Sequence, residues 1–155
     1  MKAAAPAPPA VLDGTGRRFA IAASRYNHEV TGRLVDGATE ALTEHGVADR
    51  DVHVAWVPGS FELPLAAQRL AQSGEVSAVI CVGCIIRGET NHDEVVAHAV
   101  AGGITQVALG TGVPVLLGVV SANDQEQALA RAGGFVNRGR EAALAALEMA
   151  AGGGA

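Results

Sequence analysis

Ser77-Ala78-Val79-Ile80-Cys81-Val82-Gly83-Cys84-Ile85-Ile86-Arg87-Gly88-Glu89-Thr90-Asn91-His92 is the stretch on which the fold class turns. Residues 77–86 read as an apolar strand, and Asp93 and Glu94 open a helix-like pattern directly after it. Between them, Gly88 to His92 leads into a helix start. Free backbone N–H groups there, reached through a glycine able to take an unusual φ, form a seat for a phosphate or other oxyanion. A titratable imidazole, His92, stands beside that seat. An anion site next to a proton-transfer group points to chemistry on a small phosphorylated molecule. Read alone, the same five residues are a capped helix with a surface histidine, because Thr90 to Asp93 and Asn91 to Glu94 both have capping-box-like spacing. Their company decides between the two.

Outward from this stretch, strands are predicted over 18–23, 52–57, 77–86 and 114–121, and helices over 29–45, 62–73, 92–109, 124–132 and 138–150. Gly46 and Gly74 stop two of the helices, and Pro58-Gly59 closes the second strand. Such alternation predicts a three-layer α/β/α sandwich of flavodoxin-like class around a four-stranded parallel sheet, with ligands held beyond the carboxyl ends of the strands. A single domain is expected over 17–151, preceded by a flexible Pro-rich arm over 1–16 and followed by a disordered glycine tail over 152–155.

Composition agrees. A chain of 155 residues, 49% hydrophobic and 17% charged, suits one globular domain that buries roughly two-thirds of its unfolded surface. With only 3% aromatic residues, the core must be Ala, Val, Leu and Ile, the usual filling of a parallel sheet under helices. The net charge of −5 and the lack of an arginine cluster argue against nucleic acid as a partner. No apolar run approaches a membrane span, and residues 1–16 are too Pro-rich for a signal peptide, so a soluble cytoplasmic protein is expected.

Cys81 and Cys84 form a C-x-x-C, yet they sit three apart in a predicted strand and so point to opposite faces. Neither a disulfide nor a shared metal fits such a pair, and buried thiols in a reducing compartment are expected. The five histidines, 28, 45, 53, 92 and 98, lack ligand-like spacing, and no structural metal is predicted.

The carboxyl-end rule gathers scattered residues into one candidate site. Ser24-Arg25-Tyr26-Asn27, Pro58-Gly59-Ser60-Phe61-Glu62 and Arg87-Gly88-Glu89-Thr90-Asn91-His92 follow the first three strands and belong on one edge of the sheet. Together they offer an aromatic surface, a carboxylate, hydroxyls, an anion seat and a base. Singly, Tyr26 reads as a loop anchor, Ser60 as an N-cap and Glu62 as a first-turn charge.

Four segments carry a resemblance. Pro58-Gly59-Ser60-Phe61-Glu62-Leu63-Pro64, Gly83 through His92, Pro114-Val115-Leu116-Leu117-Gly118-Val119-Val120-Ser121, and Arg131-Ala132-Gly133 with Asn137-Arg138-Gly139-Arg140-Glu141-Ala142-Ala143 resemble the signature segments of the lumazine synthase family, in order and spacing, across about 19–149. The resemblance implies condensation of 5-amino-6-(D-ribitylamino)uracil with 3,4-dihydroxy-2-butanone 4-phosphate, the penultimate step of riboflavin synthesis, without metal or organic cofactor. It implies that Tyr26 stacks on the pyrimidine and that Ser60, Phe61 and Glu62 hold the ribityl-aminouracil. The backbone of Cys84, Ile85 and Ile86 then reads the pyrimidine edge. Glu89 and Thr90 bind phosphate, and His92 shuttles protons. Leu117 and Arg131 arrive from a neighbouring subunit, Arg131 to neutralise phosphate. It also implies self-association into pentamers, decamers or sixty-chain shells, with the N-terminal arm adding to a neighbour's sheet edge, and riboflavin synthase as a further partner.

Lys2 is the only lysine, so an imine to a protein lysine is effectively unavailable, and any imine must join the two substrates. Three departures from the family pattern stand out. Leu117 occupies a place often held by Phe, Arg138 replaces a Lys, and 133–137 runs one residue short. Two other function classes share this pattern: a non-catalytic flavin or lumazine carrier, in which a yellow chromophore binds without product formation, and a structural shell protein. A generic nucleotide binder is disfavoured because no G-x-G-x-x-G follows the first strand.

Overall fold

In a computed structural model that describes residues 11–152, the chain folds around four parallel strands: β1 (Phe19–Ser24), β2 (Val52–Val57), β3 (Ala78–Ile86) and β4 (Val115–Ala122), in the order β2-β1-β3-β4. Every residue of β1 is buried, as are the first eight of the nine in β3. These two central strands are covered on both faces, which is why they read as continuous apolar runs. The register runs Phe19 opposite Val52 on one side and opposite Ala78 on the other, and Val79 opposite Val115 at the far edge.

Among the described residues, five α-helices form the outer layers: α1 (His28–Glu44), α2 (Leu63–Gln72), α3 (His92–Thr111), α4 (Gln125–Ala130) and α5 (Arg138–Ala150). Residues of α1, α4 and α5 join Phe19, Ile21, Ile80, Val82 and Val120 in one core cluster, whereas α2 and α3 close over Ala22, Val79 and Cys81 on the opposite face. The α/β/α sandwich with its four-stranded parallel sheet is therefore the architecture present.

Most predicted boundaries lie within two residues of the observed ones, and the differences have identifiable causes. α3 runs through Gly102-Gly103 to Thr111, two residues past the predicted end, and stops at the left-handed Gly112, whose N–H donates to the Ala108 carbonyl at 2.9 Å. Within it, Gly103 is where Pro64 of α2 packs, and a β-carbon there would come within 2.7 Å of the Pro64 ring. The helix predicted over 124–132 ends at Ala130. Ala132 and Gly133 instead form a short strand, β5 (Ala132–Gly133), antiparallel to β6 (Val136–Asn137), with the left-handed Gly134 at the turn. Asn137 then caps α5, its Oδ1 accepting from the Arg140 N–H at 2.9 Å while its Nδ2 donates to the Arg33 carbonyl at 3.1 Å.

The expected arm and tail fall largely outside the described residues, at 1–10 and 153–155. Within the arm's described part, Gly14 is buried at the end of α1, donating its N–H to the His45 carbonyl at 2.7 Å.

Candidate active site

A crevice opens where the strand order reverses. From β1 the chain goes to β2 on one side and then crosses over to β3 on the other, so the segments leaving β1 and β3 diverge at their carboxyl ends. The cavity there measures about 630 Å³, within the range of small-molecule sites.

Two loops build one wall. The β1–α1 turn is tied to the exit of β2 by the Arg25 N–H donating to the Val57 carbonyl at 2.8 Å and the Tyr26 N–H to the Pro58 carbonyl at 3.1 Å. Tyr26 is left 74% exposed at the cavity rim. After β2, a single 3₁₀ turn, Ser60–Glu62, places the Phe61 ring, 63% exposed, as a second aromatic on the lining. Ser60 is buried, and its hydroxyl occupies space left by Gly83: a β-carbon on Gly83 would approach Ser60 Oγ to 2.6 Å.

The floor and far wall come from β3 and α3. Cys84 and Ile85 are buried and Ile86 half-buried, and all three line the cavity beside Gly88, Thr90 and His92. The Thr90 hydroxyl accepts the His92 N–H at 3.3 Å, so this first-turn N–H is already engaged within the helix start. The imidazole itself is exposed at the cavity. No side-chain cap hydrogen bond is made by Asn91, so neither capping box suggested by the sequence forms at α3. A reciprocal turn of that kind occurs instead at Glu62, whose Oε1 accepts the Gly59 N–H at 2.9 Å while its own N–H donates to the Gly59 carbonyl at 3.2 Å.

Of the residues singled out from sequence, Tyr26, Ser60, Phe61, Cys84, Ile85, Ile86, Thr90 and His92 converge on this cavity. Glu62, Glu89, Leu117 and Arg131 are not on its lining. The Glu62 carboxylate is held by its own turn. Glu89 is exposed in the loop before α3. Leu117 lies in register with Cys81, three residues and roughly 10 Å along the sheet from Cys84. Arg131 caps the carboxyl end of α4, with Nη1 donating to the Gln127 carbonyl at 2.9 Å. The unusual backbone at the site belongs to Asn27, with φ 62, and not to Gly88, which has no positive φ. Asn27 and Gly59, which belong to the predicted strand-exit segments but had no role assigned, also line the cavity, as do Asp93 and Val96 of α3. Only Asn27 carried a readable signal, an Asn between a strand and a helix, where the left-handed region is tolerated.

Cys81 and Cys84 are free, buried and on opposite faces of β3, Cys81 in the α2/α3 cluster and Cys84 in the α1/α5 cluster. Among the described residues, no helix is long and apolar enough to cross a membrane.

The fold is thus a doubly wound parallel α/β sandwich with a solvent-open crevice at its switch point, the place where sheets of this class hold ligands. The family model described as 6,7-dimethyl-8-ribityllumazine synthase matches residues 16–152. Similarity extends to the chloroplastic 6,7-dimethyl-8-ribityllumazine synthase of Arabidopsis thaliana, with 45% identity over 141 residues, covering 90% of this chain and 62% of that protein. The chain belongs to the 6,7-dimethyl-8-ribityllumazine synthase family.

Proposed function

We propose that the chain condenses 5-amino-6-(D-ribitylamino)uracil with 3,4-dihydroxy-2-butanone 4-phosphate to 6,7-dimethyl-8-ribityllumazine, releasing phosphate and two waters. The observation that carries this reading is the convergence of an aromatic rim, buried strand-end backbone and an exposed histidine on one cavity. Tyr26 stacks on the pyrimidine. Ser60 and Phe61 receive the ribityl chain, and the Cys84–Ile86 backbone meets the ring edge. Thr90 and the start of α3 take the phosphate, with His92 beside them to move protons between amine, carbonyl and leaving groups.

The reaction needs little covalent chemistry from the protein. The substrate amine attacks the ketone, water leaves to give an imine, phosphate departs, and ring closure expels the second water. Correct placement of the two reactants is worth roughly 7–11 kcal/mol, and one acid–base group about two to four powers of ten in rate, so placement dominates.

Self-association belongs to the same proposal. α3 exposes Val95 and Leu109, the latter 81% exposed, on a helix that is apolar around much of its circumference, as befits a helix covered on more than one side. A neighbouring copy is then the source of Leu117 and Arg131 for the cavity, and Glu62 and Glu89 act at its edges. The free thiols of Cys81 and Cys84 suit a reducing compartment such as the cytoplasm.

The test mixes purified protein with both substrates and follows lumazine absorbance and phosphate release. Equimolar appearance of the two supports the reading. Retention of a yellow ligand without turnover overturns it in favour of a carrier.

A further inference from the structure

We infer that Asn27 is a positioning and specificity-determining residue of the cavity, whose amide oxygen is held in place to accept an N–H from a planar heterocycle. The inference rests on the reading above, in which that heterocycle is an aminouracil.

Asn27 is the single non-glycine residue with positive φ among those described, at φ 62 and ψ 45. Such a conformation costs a non-glycine residue some stability, least for Asn, and persists where surrounding contacts fix it. One contact here is the side-chain Nδ2 donating to the Cys84 carbonyl at 3.0 Å. β1 ends at Ser24, so its ladder to β3 stops at Ala23 opposite Val82. Two residues farther along β3, a side chain takes over the pairing that a strand N–H supplies below.

That bond also fixes the direction of the amide. A carboxamide is planar, with donor and acceptor on opposite sides, and only its nitrogen can face a carbonyl oxygen. With Nδ2 committed to Cys84, Oδ1 is turned away from β3. It makes no hydrogen bond among the described residues and is not fully buried, and Asn27 lines the cavity together with Tyr26 and Cys84. An accessible acceptor of fixed orientation therefore belongs to the residue that follows Tyr26 on the cavity lining. A ring stacked on Tyr26 presents its edge to this acceptor, and an edge bearing N–H is matched where one bearing only carbonyl oxygen is repelled.

The experiment compares wild type with Asn27→Gly, which keeps the left-handed turn but removes latch and acceptor, and Asn27→Asp, which keeps an oxygen but cannot donate to Cys84 when ionised. Binding of the aminouracil alone, read by quenching of intrinsic fluorescence, is set beside steady-state kinetics and thermal midpoints. Both variants are expected to bind the aminouracil at least tenfold more weakly, with the KM for butanone phosphate within about twofold of wild type. That split separates the role from a general loosening, which would move both substrates. Wild-type affinity in Asn27→Gly, or equal losses for both substrates, overturns the inference while leaving the functional reading intact. A wild-type protein that forms no lumazine overturns the functional reading, and the inference with it.

Discussion

Gly139 of α5 rides directly on Leu34 of α1: a β-carbon at 139 would overlap the Leu34 carbonyl oxygen. The two helices approach this closely only because residue 139 has no side chain, and Gly37 gives Asn137 the same relief. Gly139→Ala is expected to destabilise the fold by about 1–3 kcal/mol, since backbone cannot yield as a flexible side chain would. A thermal midpoint at or above that of wild type would show that the helices separate freely.

The two thiols make stability fall in alkali. Burial pushes Cys81 up to about 12 and Cys84 up to about 11. Below the unfolded-chain pKa, near 9.0, both states carry the protons and nothing changes. Above it the unfolded chain releases protons that the folded chain retains, so stability drops as pH climbs toward the folded values, at roughly 1.4 kcal/mol per pH unit for Cys81. Denaturant midpoints between about pH 8 and 10.5 check this, and Cys81→Ala flattens the slope.

His92→Ala is expected to slow lumazine formation by about two to four powers of ten without abolishing it, because placement of the substrates survives. Complete loss of turnover with normal substrate binding contradicts that ranking.

Arg131→Ala is expected to weaken butanone phosphate binding, most at low salt where charge attraction is least screened. An unchanged KM for that substrate removes Arg131 from the site.

Leu109→Glu tests assembly. The side chain is largely exposed within its own chain, so the fold is unaffected, while a charge on this face disrupts packing of another copy. Light scattering is expected to report a smaller particle, and an unchanged size excludes this face of α3 from the interface.

Much of the site was legible because the strand–helix alternation fixes which loops share an edge. Tyr26, Ser60, Phe61 and His92 follow three different strands, yet a parallel sheet sends all their exits to one side. The opposed faces of Cys81 and Cys84 followed equally directly from the two-residue period of a strand. Glu62 was legible as an acid in a loop but not as a group bound to Gly59, since the sequence gives no measure of whether a carboxylate faces a ligand or its own turn.

The order of residues by itself determined the layers, the buried central strands and the edge on which chemistry occurs, because periodicity and turn chemistry act over a few residues. Tertiary structure alone decided that Asn27 reaches Cys84 across 57 positions, that Gly139 admits the Leu34 backbone, and that residues 132–137 fold back as a hairpin. Each depends on how closely separate elements approach, a distance set by the packing of the whole chain.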